Sequence, residues 1–358
     1  MDKSRITYIS FMNVIAAVSV VILHADSSFW NYSTGFYWGV TNVIESALYF
    51  AVPIFFMLSG VTLIDYHKRY STKEFFKKRF FKTVVPFLFW SLFGMLWASR
   101  KTLWAMAAGQ PHGELGWTAE KIIRGFVNGT FTEIYWFFIP LFCIYMVIPF
   151  FAAIPEEKRV RIYTYAIFGA LIFNYTIPFV SSVLKEYAPF TVYTTYTMFV
   201  SHQYLVYPLI GYVLHKTELK LKFRLIIYGA ALVGLMVFML GTYYRTREAG
   251  KLDGLFRGYY NLPCLLYSTG VFLFIKQTAS RIKSEKVIRF FTYFQSYTFP
   301  IYLIHRYILD VLEENLALVH IEKASLLYVL GATVIAISLS VLITWLLRKI
   351  PVLRRVVP

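Results

Sequence analysis

The 358 residues include 36 Lys and Arg against 19 Asp and Glu, a formal charge of +17, yet 58% of the chain is hydrophobic, 20% aromatic and only 15% charged. Soluble domains carry about a quarter charged residues, whereas here apolar residues arrive in blocks of ~18 to 25, the length that crosses ~30 Å of hydrocarbon as helix. This excludes a soluble two-domain protein, and because the basic residues lie between the blocks it also excludes a nucleic-acid-binding face.

The pattern predicts an all-α polytopic integral membrane bundle of about ten transmembrane helices, forming one domain over 1–358 with no appended soluble domain. The first span, 6–24, follows Lys3 and Arg5, contains Asn13 and closes on His24. Leu23 and His24 before Ala25 do not match a small-residue cleavage site, so this segment reads as a retained anchor. The second span, 41–64, carries Glu45 near its start and Pro53 inside; the third, 83–99, follows the basic residues Lys77, Lys78, Arg79 and Lys82. A long connection, 100–133, leads to the fourth, 134–153, which opens with Tyr135 and Trp136 and contains Pro140. Next come 162–180, then 191–214 with His202 and Pro208, then 225–242. The connection 243–257 precedes 258–275, then 292–309 with His305 and Arg306 late in it, and finally 325–347. Prolines inside such helices are tolerable where neighbouring helices satisfy the freed carbonyls. Cys143 and Cys264 fall within apolar segments and offer neither a disulfide framework nor a metal spacing.

Positively charged loops resist translocation. Placing both termini in the cytoplasm puts about two thirds of the 36 basic residues inside and most of the 19 acidic residues outside, so nearly all of the net charge is topological. The expected location is the cell (cytoplasmic) membrane, with the long connections 100–133 and 243–257 outside, where they either hold a polar acceptor or merely cap the bundle.

Ionisable groups within spans are costly and mark candidate sites. His24 lies ~27 Å along its span from the inner end and His305 ~20 Å along its own, so both fall in the outer half of the membrane. Two imidazoles at similar depth suit a general base and a positioning or polarising partner; a span-end histidine is otherwise an interfacial side chain bonded to a neighbouring helix, and that reading is stronger still for His202. Glu45 either orients a histidine or answers a helix dipole at an N-terminus. Lys78, Arg79 and Lys82 form a basic patch of the kind that holds polyphosphate, although a loop kept inside by its charge has the same composition.

Several strings resemble the acyltransferase 3 family of membrane acyltransferases, whose members modify glycans and small molecules with acyl groups from coenzyme A. They are Ile6 to His24; Val52-Pro53-Ile54-Phe55-Phe56-Met57-Leu58-Ser59-Gly60; Lys78-Arg79-Phe80-Phe81-Lys82 followed by Pro86; Tyr135-Trp136-Phe137-Phe138 with Tyr145 and Pro149; and Ile301-Tyr302-Leu303-Ile304-His305. Their order covers nearly the whole chain. The resemblance implies a cytoplasmic acyl-CoA donor, acetyl-CoA in the first instance, with no metal, and an acceptor hydroxyl on a glycan or similar molecule at the outer face. It implies His24 as general base, with His305 and Glu45 in the catalytic set. Lys78, Arg79, Lys82 and Ser59 would hold the donor, and Tyr135 and Trp136 would stack on the acceptor.

Two departures stand out: family members usually carry an arginine where this chain has Asn13, and often a histidine where it has Ile134. Lys82 replaces a second arginine, keeping the charge and losing the planar fork. Direct transfer and a covalent acyl-histidine both remain open, as does the oligomeric state. The rival classes are a transporter or flippase, against which stands the lack of a visible inverted repeat, and a non-catalytic scaffold in polysaccharide assembly.

Overall fold

With no water in hydrocarbon to satisfy backbone N–H and C=O groups, an apolar chain has to pair them internally. Accordingly, the computed structural model, which describes residues 3–188, 197–198, 203–315 and 325–358, is helical with no strand among the described residues. His202 and much of the expected span 191–214 lie outside them.

The helices are α1 (Lys3–Ala25), α2 (Phe36–Leu48), α3 (Ala51–Leu63), α4 (Thr72–Arg79), α5 (Val85–Ala98), α6 (Arg100–Ala107), α7 (Ala119–Asn128) and α8 (Phe138–Ala153). They continue as α9 (Glu156–Ala170), α10 (Ile177–Tyr187), α11 (Val206–Lys216), α12 (Leu221–Ala249), α13 (Leu262–Ala279), α14 (Glu285–Glu314) and α15 (Leu326–Arg348). Seven helical segments among the described residues are long and apolar enough to cross a membrane, matching seven of the ten expected spans. The other three fall on α11, α13 and α14, the last two of which bury the polar residues Ser268, Lys276, Thr298 and His305.

Helix α1 is apolar all round, the pattern of an element surrounded by others. It packs against α3, α13, α14 and α15, and Met12, Ala16 and Val21 are fully buried. Helices α3 and α11 cross closely through small residues: a methyl at Gly60 would meet the Pro208 carbonyl oxygen at 1.9 Å, and one at Gly211 the Met57 oxygen at 2.2 Å. By contrast α12 exposes Leu225, Ile226, Leu232, Val233 and Leu240, the apolar surface that lipid requires.

Three expectations are corrected. The span 41–64 is two helices, α2 and α3, broken at Tyr49 and Phe50; Pro53 has no N–H for the Tyr49 carbonyl, and its ring crowds that turn. Since α2 begins at Phe36, Glu45 sits in its last turn, fully buried, and no N-terminal dipole stabilises it. The connection 243–257 is helix over its first seven residues, because α12 runs on to Ala249 before Gly250 caps it at φ 65°.

The connection 100–133 is also structured: α7 is capped by the Thr118 hydroxyl, which accepts the Lys121 N–H at 3.2 Å, and ends on Gly129 at φ 64°. Ahead of Pro86, residues Phe80–Val84 form a π-helical turn between α4 and α5. Such bulges shift the helical register, and this one, starting directly after Arg79, carries Lys82.

Candidate active site

Helices α1 and α14 lie side by side and bring together two histidines 281 positions apart: His24 Nδ1 and His305 Nε2 are 2.8 Å apart. The ring planes are inclined by only 18° with centroids 5.1 Å apart, so the two imidazoles meet edge to edge along this bond. His305 is fully buried, and its Nδ1 is 2.9 Å from the Ile301 carbonyl oxygen. A carbonyl only accepts, so Nδ1 of His305 carries the proton and Nε2 carries the lone pair. His24 Nδ1 therefore donates to it, which in a neutral ring leaves His24 Nε2 as a free proton acceptor.

His24 lines a cavity of about 330 Å³ together with Leu23, Trp30, Glu45, Tyr49, Trp136, Tyr204, Arg257 and Tyr259. Glu45 does not orient a histidine: its carboxylate is held by the Arg257 guanidinium. Arg257 in turn lies over the rings of Phe29, Trp30 and Tyr49, with its central carbon 4.8, 4.4 and 4.8 Å from their centroids. Trp136 stacks on Tyr259 with ring centroids 5.4 Å apart. This chamber is thus aromatic on most sides, with one buried ion pair in its wall. Two residues after His24, both carboxylate oxygens of Asp26 are buried without a hydrogen-bond partner. Burial, and after it the negative charge of Glu45, raises the Asp26 carboxyl to about 7.

A second cavity, of about 430 Å³, opens on the other side of the dyad. Its lining includes Asn13, Val20, Ser59, Arg79, Lys82, Phe137, Tyr145, Gln295 and Tyr302. The partition between the two is thin. Val20 faces one chamber and His24 the other, four residues or ~6 Å apart along α1. Phe137 and Trp136 are divided in the same way, and the Tyr302 ring on the second cavity's wall lies 6.1 Å from that of His305. At the far end, Arg79 packs over Phe75 and Tyr145 at 6.0 and 5.7 Å, its Nε buried without a partner. Pro358 also reaches this cavity, because the Trp90 indole donates to the Val356 carbonyl at 2.9 Å and Arg348 to the Pro358 carbonyl at 2.9 Å.

The sequence candidates thus divide. His24 and His305 meet, and Arg79, Lys82 and Ser59 share one cavity. Lys78 does not join them: its ammonium is taken by Glu74 at 2.9 Å and lies 4.0 Å from the Tyr70 ring centroid. Trp136 lines the His24 chamber, whereas Tyr135 is fully buried and its hydroxyl donates to the Leu303 carbonyl at 2.8 Å, joining the turn before α8 to α14. Asn13, standing where the resembling family has arginine, faces the Arg79 cavity and donates its amide to the Ile9 carbonyl at 2.9 Å. Arg257 went unseen, being one charge among several in the connection 243–257; the only local signal was its place beside Gly258, Tyr259 and Tyr260. Among the described residues no group of His, Cys, Asp and Glu has the makings of a metal site.

Compared with known proteins, the chain matches the family model described as acyltransferase domain over residues 6–345. No curated protein and no solved structure matches it.

Proposed function

The chain belongs to the acyltransferase family whose domain model spans it, and from that membership we propose that this membrane acyltransferase moves an acyl group from acyl-CoA, acetyl-CoA in the first instance, to a hydroxyl of an extracytoplasmic glycan. The observation that carries the reading is the His24–His305 pair standing between two chambers of opposite character, one basic at its mouth and one walled by aromatic rings.

In this reading the phosphates of the donor dock at Arg79 and Lys82, which supply charge-assisted hydrogen bonds. The narrow pantetheine arm enters the cavity past Ser59 and Asn13 and brings the thioester to the partition at Val20, Phe137 and Tyr302. A sugar enters the other chamber against Trp30 and Trp136, aromatic faces of the kind on which sugar rings stack. His24 Nε2 takes the proton of its hydroxyl as the oxygen attacks the thioester carbonyl carbon. The tetrahedral intermediate then expels the thiolate, which recovers that proton from the imidazolium, so an ester and free coenzyme A are formed. His305 acts as a positioning residue: it accepts from His24 Nδ1, fixes the tautomer and supports the charge that His24 gains. The cofactor never crosses the bilayer; the acyl group alone passes a wall about one helical turn thick.

The test uses sealed vesicles of purified protein, with radiolabelled acetyl-CoA on the Arg79 side and a panel of glycans on the other. Label appearing on a glycan, with stoichiometric release of coenzyme A, is the expected result. Label that appears only on glycan placed with the donor overturns the two-chamber route, and glycan transport without thioester cleavage makes the protein a transporter.

A further inference from the structure

A third cavity, of about 550 Å³, lies between the start of α2 and the end of α12. Its lining includes Ser33, Thr34, Trp38, Gly39, Tyr243 and Arg247. It is separate from both chambers above. We propose that this groove binds the headgroup of an anionic phospholipid in the leaflet on the His24 face.

Three observations converge. The groove straddles the expected edge of the hydrocarbon: Val40 and Val43 are at the start of the span 41–64, while Arg247 lies five residues past the end of 225–242, or ~7 Å further out. The half of the groove nearer the membrane is therefore apolar, and the outer half carries the Ser33 and Thr34 hydroxyls and a guanidinium. Second, the walls are fixed. Trp38 is buried, its indole N–H donates to the Phe29 carbonyl at 3.0 Å, and Tyr32 meets it edge-on with ring centroids 4.9 Å apart. Tyr243 closes the other side, its ring centroid 6.0 Å from that of Trp38. Gly39 leaves the floor open, since even a methyl there would stand 3.6 Å from the Tyr243 ring.

Third, the charge is unspent. Arg245, one half-turn earlier, is held by Glu186 at 2.6 Å and Asp253 at 3.2 Å, but Arg247 has no acidic partner among the described residues. An arginine that only snorkels to the interface needs no cavity beneath it. Here the guanidinium caps a preformed one, and phosphate is the group that its fork of donors matches. The exposed Phe36 and Val43 flank the groove, so acyl chains descending from a bound headgroup would run beside apolar side chains.

The experiment is native mass spectrometry of the protein released from nanodiscs of equal parts phosphatidylglycerol and phosphatidylcholine. The parent protein is expected to retain phosphatidylglycerol preferentially, and Arg247→Gln to lower that occupancy ~10-fold, the loss of one charge-assisted contact. Gly39→Leu, which fills the floor, should displace the lipid while leaving Arg247 in place. Arg124→Gln, an exposed arginine on α7 paired with Glu120 at 3.5 Å, serves as the charge control and should change nothing. No preference in the parent protein, or equal losses in Arg247→Gln and Arg124→Gln, overturns the site. Displacement of phosphatidylglycerol by hexagalacturonate also overturns it and assigns the groove to a glycan. None of these readouts needs acyl transfer, so failure of the catalytic reading leaves this test intact.

Discussion

In the proposed mechanism, replacing His24 with glutamine removes proton transfer and keeps the hydrogen bond to His305. The glutamine amide still has an N–H to offer His305 Nε2, so the buried acceptor stays satisfied, but it cannot take a proton near neutrality. General-base catalysis is typically worth 10²–10⁴-fold, or ~2.7 to 5.4 kcal/mol at ~1.36 kcal/mol per decade, and kcat should fall by that amount. The KM for acyl-CoA should hold, because Arg79 and Lys82 line the other cavity. His305→Gln provides the internal comparison. Its bond to His24 is neutral in the ground state and charge-assisted once His24 is protonated, a difference of ~1 to 1.5 kcal/mol, which predicts a loss of ~10-fold. Initial rates in reconstituted vesicles at saturating donor measure both variants. A His24→Gln protein within ~3-fold of the parent, or a His305→Gln protein as impaired as His24→Gln, would refute the division of labour.

Arg79→Gln or Lys82→Gln should raise the KM for acyl-CoA ~10-fold or more with little change in kcat, while Lys78→Gln should leave it unchanged; equal effects at all three would show a diffuse charge effect. Asp26 bears on pH: its carboxyl is raised to about 7 in the folded chain, so its stabilising contribution is complete below the unfolded value near 4 and is lost as pH rises through about 7. Melting curves in detergent should show Asp26→Asn matching the parent at pH 4 and gaining on it up to pH 7 and a little beyond; a constant gap would contradict a neutral buried acid. Gly60→Ala should lower stability by ~1 to 3 kcal/mol or more, because the new methyl meets the Pro208 carbonyl, whereas Gly331→Ala, with nothing within 4 Å of the added atom, should be neutral or stabilising in the same melting assay. Cysteines at Ser33 and Gly109 should react with impermeant reagents on intact cells and one at Tyr70 only after permeabilisation, and labelling at position 70 without permeabilisation would reverse the orientation.

Much of the fold was legible because transfer into hydrocarbon is scored residue by residue. A run such as Leu326–Arg348 is apolar whatever its neighbours do. Helices α13 and α14, which hydropathy alone does not mark as spans, bury Ser268, Lys276, Thr298 and His305 against other helices, a property absent from the local string. Asp26 and Arg257 show the same limit from the polar side: each is an unremarkable loop charge in sequence and a buried group in the fold.

The sequence by itself determined the all-α membrane bundle, the basic run before Pro86 and the positions of His24 and His305 along their helices, because helical rise converts residue number into distance along the axis. Only the tertiary structure decided which side chains face one another. Height does not specify rotation about a helix axis, and that rotation is set by packing between helices hundreds of residues apart. Thus His24 reaches His305, Glu45 finds Arg257 rather than a histidine, Lys78 turns from Arg79 toward Glu74, and Tyr135 and Trp136, adjacent in the chain, go to the core and to the chamber.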